Sequence, residues 1–308
     1  MRALRRATGL ALVLTYALIV LGAWVRASGS GLACPDWPTC YGHLLPLPGE
    51  IPQDAGYAYH QVMAEWLHRL LAGAILGPLL LVIGWLAWRA RRHEPRMPAY
   101  AAALIFLLLI QAGLGGVTVL DQNSPWSVAL HLSAALLLFS VLWLIFARTG
   151  RVAGPAGAAG PLSIAVWLLA LGAMASAAVT TKSGAALACS TWPLCDGALV
   201  PDLADPAIRL NFSHRLLALG VGLGALALHM ACRGRAGLGP LAALVLLLTL
   251  AEIALGGLVV RWQVPLATAL THQALGVATF GAISLLMWRA IAPVSDPKAV
   301  HVRSLSRA

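Results

Sequence analysis

Cys34-Pro35-Asp36-Trp37-Pro38-Thr39-Cys40 leads into Glu65-Trp66-Leu67-His68-Arg69-Leu70-Leu71-Ala72-Gly73. The same order returns later as Cys189-Ser190-Thr191-Trp192-Pro193-Leu194-Cys195 and Asn211-Phe212-Ser213-His214-Arg215-Leu216-Leu217-Ala218. Each copy joins a Cys-x5-Cys loop containing Trp-Pro to an apolar segment that reads His-Arg-Leu-Leu-Ala. One position separates the copies chemically. Glu65 stands three residues before the first histidine, and Asn211 stands in its place in the second.

The repeat continues beyond these stretches. Gln111-Ala-Gly-Leu-Gly-Gly-Val117 matches Glu252-Ile-Ala-Leu-Gly-Gly-Leu258, and at the same offset His131 falls on His272. Eight apolar runs, at about 8–25, 61–88, 99–120, 126–147, 161–181, 209–231, 238–260 and 265–291, are each long enough to cross a hydrocarbon core of about 30 Å as a helix. Lipid offers the backbone no hydrogen bonds, so such runs must be helical. Four runs per copy make both copies enter the membrane in the same direction. The expected fold is all-α: a polytopic membrane protein of eight transmembrane helices, arranged as two pseudo-symmetric four-helix bundles in parallel repeat. Residues 1–150 form the first unit and 151–308 the second, with the Gly/Ala/Pro-rich stretch 150–161 as the linker. The paired glycines fit close helix packing.

Composition supports this reading. The 308 residues are 60% apolar and 10% charged, against roughly 25% charged in a soluble domain. The net charge of +10 does not mark a nucleic-acid binder, because its distribution is that of a membrane protein. Basic clusters at Arg2 to Arg6, Arg89 to Arg96, Arg148 to Arg151, Arg233 to Arg235 and Arg289 onward flank alternate runs. The intervening loops carry only Arg26, Lys182, Arg209 and Arg261, with seven acids. The positive-inside rule then puts both termini in the cytoplasm and both cysteine loops outside. The first run starts basic and apolar like a signal peptide, but its length and the lack of a clear cleavage site make it an uncleaved helix.

Of nine histidines, His43, His60, His93, His229 and His301 fall at or beyond the ends of the runs. His68, His131, His214 and His272 each lie a few residues inside the outer end of an even-numbered run. Four imidazoles at one depth, in matched pairs, suit iron held between two rings from facing helices. Zinc or copper would call for further Cys, Asp or Glu at ligand spacing. The expected sites are His68 with His131 and His214 with His272. Arg69 and Arg215 follow two of these ligands, and an intramembrane Arg needs a reason. Binding heme propionates and snorkelling to the interface both supply one. Glu65 shares a helix face with His68, where a carboxylate could move protons or stabilise positive charge; pairing with Arg69 is the structural alternative. Glu252, opposite Gln111, reads as a partner for a polar neighbour. Cys34/Cys40 and Cys189/Cys195 could be fixed disulfides or redox-cycling pairs, and Cys232 has no assigned role.

Taken together, these residues resemble the heme A synthase family of respiratory membranes. The resemblance rests on eight spans, a Cys pair in outside loops one and three, Glu-x-x-His-Arg in helix two, single histidines in helices four, six and eight, and the stretch Gly-Leu-Ala-Cys-Pro-Asp-Trp-Pro at 31–38. It implies oxidation of the C8 methyl of heme O to a formyl group, giving heme A for terminal oxidases. It also implies the substrate heme between His68 and His131, Glu65 as catalytic carboxylate, heme b between His214 and His272, and a part for Cys34/Cys40 in activity. A heme O synthase and an unidentified electron acceptor or donor are the partners it suggests, with lipid around the chain; homo-oligomerisation stays open. The location expected is the cell inner membrane. A diheme electron-transfer protein and a heme exporter are the rivals, and neither explains the Glu65/Asn211 difference.

Overall fold

The computed structural model describes residues 1–150 and 159–291. Most of the linker, the basic C-terminal segment beyond 291 and His301 lie outside the described residues. Among the described residues, eight helices are long and apolar enough to span a membrane. They are α1 (Arg2–Ala27), α2 (Tyr59–Arg92), α3 (Met97–Leu120), α4 (Pro125–Arg148), α5 (Ala159–Lys182), α6 (Pro206–Cys232), α7 (Gly239–Arg261) and α8 (Leu266–Ala290). The chain is an all-helical, multi-pass membrane protein. The helices extend a few residues past most of the apolar runs, because capping residues lie outside the hydrophobic stretch. Ser124 caps α4 by accepting from the Ser127 N–H, and Asp205 caps α6 by accepting from the Ala207 N–H at 2.8 Å; each is followed by a proline in the first turn. α5 begins at Ala159, so the end of the expected linker is already helical.

In each half the four helices touch in a ring: α1 with α2, α2 with α3, α3 with α4 and α4 with α1, then α5 with α6, α6 with α7, α7 with α8 and α8 with α5. The halves meet through α4 against α8, α1 against α8, and α4 against α5. α4 and α8 are the central helices, with 56% and 50% of their apolar windows buried, against 22–33% for the other six. These two carry His131 and His272. Their seam draws on Leu136, Leu142 and Ile145 from α4 and on Phe280 and Ile283 from α8. Gly281 lets the helices close up: a Cβ there would sit 2.8 Å from Phe139 Cε1. Trp288 Nε1 donates to the Ser140 carbonyl at 2.9 Å, a satisfied polar tie across the seam.

Two local features separate the halves. α2 contains a π turn at Leu71–Leu76, directly after His68 and Arg69, whereas α6 is regular throughout. Pro78 explains it. Proline has no N–H to give to a carbonyl one turn back, and the Gly77 N–H reaches Ala72 O instead, re-satisfying backbone that lipid could not. The α3–α4 and α7–α8 turns have the same backbone but different residues. Gln122 and Asn123 have φ of 50° and 55°, and Gln263 and Val264 both have 59°. Asn tolerates that conformation, while β-branched Val is strained in it.

Candidate functional site

The cysteine loops sit over the ends of the two rings. Cys34 is bonded to Cys40 and Cys189 to Cys195, so both pairs are disulfides. Each loop turns back at a positive-φ pair, Tyr41-Gly42 and Asp196-Gly197. In the first loop Asp36 accepts from the Thr39 hydroxyl, the Tyr41 N–H at 2.6 Å and the Gly42 N–H at 2.9 Å. Burial pushes the Asp36 carboxyl up, but these donors outweigh it and hold the group below the usual aspartate range. In the second loop the anchoring carboxylate comes from the other side: Asp196 accepts from the Ser190 N–H at 3.0 Å and its hydroxyl at 2.6 Å.

Each loop lays its tryptophan on a helix glycine. A Cβ on Gly116 would lie 3.2 Å from the Trp37 ring, and one on Gly257 2.9 Å from the Trp192 ring. The preceding glycines, Gly115 and Gly256, face His131 and His272, with a built Cβ 3.3 and 3.1 Å from the ring Cε1 atoms. The Gly-Gly pairs, expected to serve helix packing alone, therefore seat an indole on one side and an imidazole on the other.

Arg69 and Arg215 are turned into the loops. Arg69 donates to the carbonyls of Asp36 (2.5 Å), Thr39 (2.7 Å) and Cys34 (2.9 Å), and to Glu65 Oε1 (2.6 Å). Arg215 donates to the carbonyls of Cys189 (2.8 Å), Thr191 (2.8 Å) and Leu194 (3.2 Å), and through Nε to Asn211 Oδ1 (2.9 Å). A guanidinium fork can gather several carbonyls that no backbone ladder would satisfy. Both arginines thus clamp the loops in the same way.

Glu65 and Asn211 do not act in the same way. Both are buried. Glu65 Oε2 accepts from the Cys34 N–H at 2.9 Å, while Oε1 meets Arg69. Asn211 Nδ2 donates to the carbonyls of Ala185 and Ala186, both at 2.9 Å. The first loop offers its helix an N–H and the second offers carbonyls. A carboxylate only accepts and an amide can donate, so each side chain matches the backbone above it.

His68, His131, His214 and His272 lie nine, six, eight and six residues into their helices, all toward the loop end. That is roughly 9–14 Å of helix at 1.5 Å per residue. His68 and His131 are within electrostatic reach of each other, as are His214 and His272, so both expected pairings are brought together. A Cβ on Gly22 of α1 would meet His68 Cε1 at 2.9 Å. Four half-buried imidazoles against glycine seats, with buried Nδ1 atoms of His68 and His131 lacking partners, fit axial ligation of a flat macrocycle. Among the described residues no three His, Cys, Asp or Glu side chains converge as a compact metal site.

The surroundings of the four rings were the least visible feature in sequence. His214 Nδ1 lies 3.1 Å from both Ser176 Oγ and the Ala173 carbonyl of α5. His272 Nδ1 lies 3.0 Å from Glu252 Oε1, within ion-pair distance but not aligned as a hydrogen bond. In the first half, Gln111 Nε2 instead lies 3.2 Å from His131 Nε2. Ser176 could have been found from the repeat register, which sets it opposite Leu21. Cys232 is buried and unbonded at the far end, remote from these groups.

A family profile described as cytochrome oxidase assembly protein, COX15-CtaA, matches residues 5–284. The chain is 34% identical to the heme A synthase of Symbiobacterium thermophilum, covering 94% of this chain and 95% of the relative. It is 30% identical to the heme A synthase of Rhizorhabdus wittichii, covering 90% of each. It is 28% identical to the heme A synthase of Geobacillus kaustophilus, covering 89% of this chain and 87% of that one.

Proposed function

The chain belongs to the COX15-CtaA family of cytochrome oxidase assembly proteins, and from that premise we propose that it is a heme A synthase, an oxidoreductase that converts the C8 methyl of heme O to the formyl group of heme A. The observation that carries the proposal is the pairing of four same-depth imidazoles, with a buried carboxylate beside one pair only. Residues 1–150 form the substrate bundle and residues 151–308 the cofactor bundle; the two helix rings support this division. Heme O is bound between His68 and His131. His214 and His272 hold heme b, which supplies one-electron redox chemistry when bound.

Converting a methyl to a formyl group with water as oxygen source releases four electrons and four protons. Two axial imidazoles leave an iron no open position for dioxygen, so the chain's part is to work at the macrocycle edge. Glu65 is placed to take those protons and to balance positive charge at the methyl carbon. Its hydrogen bond to the Cys34 N–H fixes the carboxylate relative to the first disulfide loop. Arg69 and Arg215 hold the loops that roof the two sites, and through them shape the contacts to the heme edges. A one-electron acceptor from outside the chain takes the electrons, and a heme O synthase delivers the substrate. The basic clusters support cytoplasmic termini and outward-facing loops in the cell inner membrane.

The test is pigment extraction from membranes supplied with heme O, followed by chromatography. Heme A or its hydroxymethyl precursor is expected; heme b alone would return the chain to the electron-transfer or export readings. Formyl oxygen labelled from molecular oxygen rather than water would overturn the edge mechanism.

A further inference from the structure

We propose that Glu252 is a positioning residue for His272, holding its imidazole through Nδ1 and thereby strengthening the axial ligand of the second bundle. The proposal rests on the reading of His214 and His272 as heme ligands.

Three observations carry it. First, the carboxylate approaches the ring nitrogen away from the iron-binding position: Oε1 is 3.0 Å from His272 Nδ1, which leaves Nε2 for a metal. A ligating histidine donates its second N–H to a carboxylate, carbonyl or water, and that partner fixes the ring and raises its basicity. Second, space for the carboxylate is built into α8. Gly276 stands one turn below His272, and a Cβ there would fall 2.7 Å from Glu252 Oε1 and 3.2 Å from Met174 Sδ. The matched position in the first bundle is Ala135. Third, the opposite ligand of the same pair is held in the same manner, His214 Nδ1 by the Ala173 carbonyl and Ser176.

The first bundle lacks every one of these supports. His68 Nδ1 and His131 Nδ1 are buried without partners. Gln111, the counterpart of Glu252, meets His131 at Nε2, the nitrogen an iron would need. Leu21 stands where Ser176 would be. The second bundle is thus set for a resident heme whose potential is lowered by an anionic partner. The first is set for a heme that must exchange, since the Gln111 contact competes with ligation.

The experiment uses the full-length, heme-loaded protein in detergent and reads heme content, midpoint potential and the low-spin electron paramagnetic resonance signature. Glu252→Gln installs the residue already present at the matched site. It should retain heme while shifting the ferrous/ferric balance about tenfold toward ferrous, about 59 mV upward for a one-electron couple. Gly276→Ala, which displaces the carboxylate without removing it, should shift the potential in the same direction by less. Gln111→Glu should lower the potential of a heme held in the first bundle. Wild-type potential and signature in both Glu252→Gln and Gly276→Ala would overturn the proposal. If Glu252→Gln loses heme, Glu252→Asp decides: recovered heme supports the anchoring role, and no recovery alongside an unshifted Gly276→Ala refutes it. His272→Ala isolates the underlying reading, because an unchanged bis-imidazole signature in that variant would remove His272 as a ligand whatever Glu252 does.

Discussion

The first cysteine loop hangs from a carboxylate and the second from an amide. Glu65 receives the Cys34 N–H, while Asn211 gives its N–H groups to the carbonyls of Ala185 and Ala186. The arginine one turn later is used identically in both. Exchanging Glu for Asn at this point is therefore not a simple loss of charge, because the backbone above has opposite polarity in the two halves. The lesson is that the Glu65 carboxylate is held by a loop built to receive it. Its position beside the His68 pair is a property of the fold and not of one side chain's rotamer.

The largest effect should come from removing that acid. Glu65→Gln keeps the size and one acceptor oxygen, and should cut heme A formation by about 100-fold or more while heme stays bound. Asn211→Ala should leave turnover within about twofold, because the second half carries no acid at that position. Extracted pigment per protein measures both, and equal losses would dissolve the distinction between halves. Stability comes next. Arg69→Ala leaves Glu65 buried without its cation and should cost about 3–5 kcal/mol. Arg215→Ala breaks only carbonyl and amide bonds and should cost clearly less; thermal unfolding of the solubilised protein compares the two.

Much of this comparison was legible in the chain itself. Eight apolar runs located every span to within a few residues, because in lipid a helix is the only backbone solution. The offset that aligned Gln111 with Glu252 also aligned His131 with His272, and the rings fall in the expected pairs. The direction of a side chain is not written in spacing, and that is why Arg69 and Arg215, weighed as propionate partners or snorkelling residues, proved to be bonded to the loops. The π turn was missed although Pro78 was in view, since proline in a long apolar run fits a kink, a break or a bulge equally well. The glycine pairs were assigned to helix contact because a missing side chain carries no record of what fills its space.

Smaller contrasts sharpen the picture further. Gly257→Ala should destabilise by about 1–3 kcal/mol through overpacking against Trp192. Gly116→Ala, with slightly more room beside Trp37, should cost less, and unfolding midpoints rank the pair. Val264→Asn should stabilise by about 1 kcal/mol, since it brings to the second turn the residue type that accepts positive φ in the first. The mildest effect is one of acidity. Asp36 is held below its ordinary range, so its contribution to the first loop is complete above the unfolded aspartate value. That contribution is lost as pH falls through the lower folded value. The difference in unfolding midpoint between the wild type and Asp36→Asn should therefore narrow below about pH 4.

The π turn in α2 has a geometric result of its own. An extra residue in one turn advances the helix by about 100° of phase. The face that presents His68 and the face that buries Leu80 and Ile83 are thus offset, like two cams keyed at different angles on one shaft. Unwinding that single turn would rotate the ligand end of α2 while its lower half stayed seated, a degree of freedom that the uninterrupted α6 does not have.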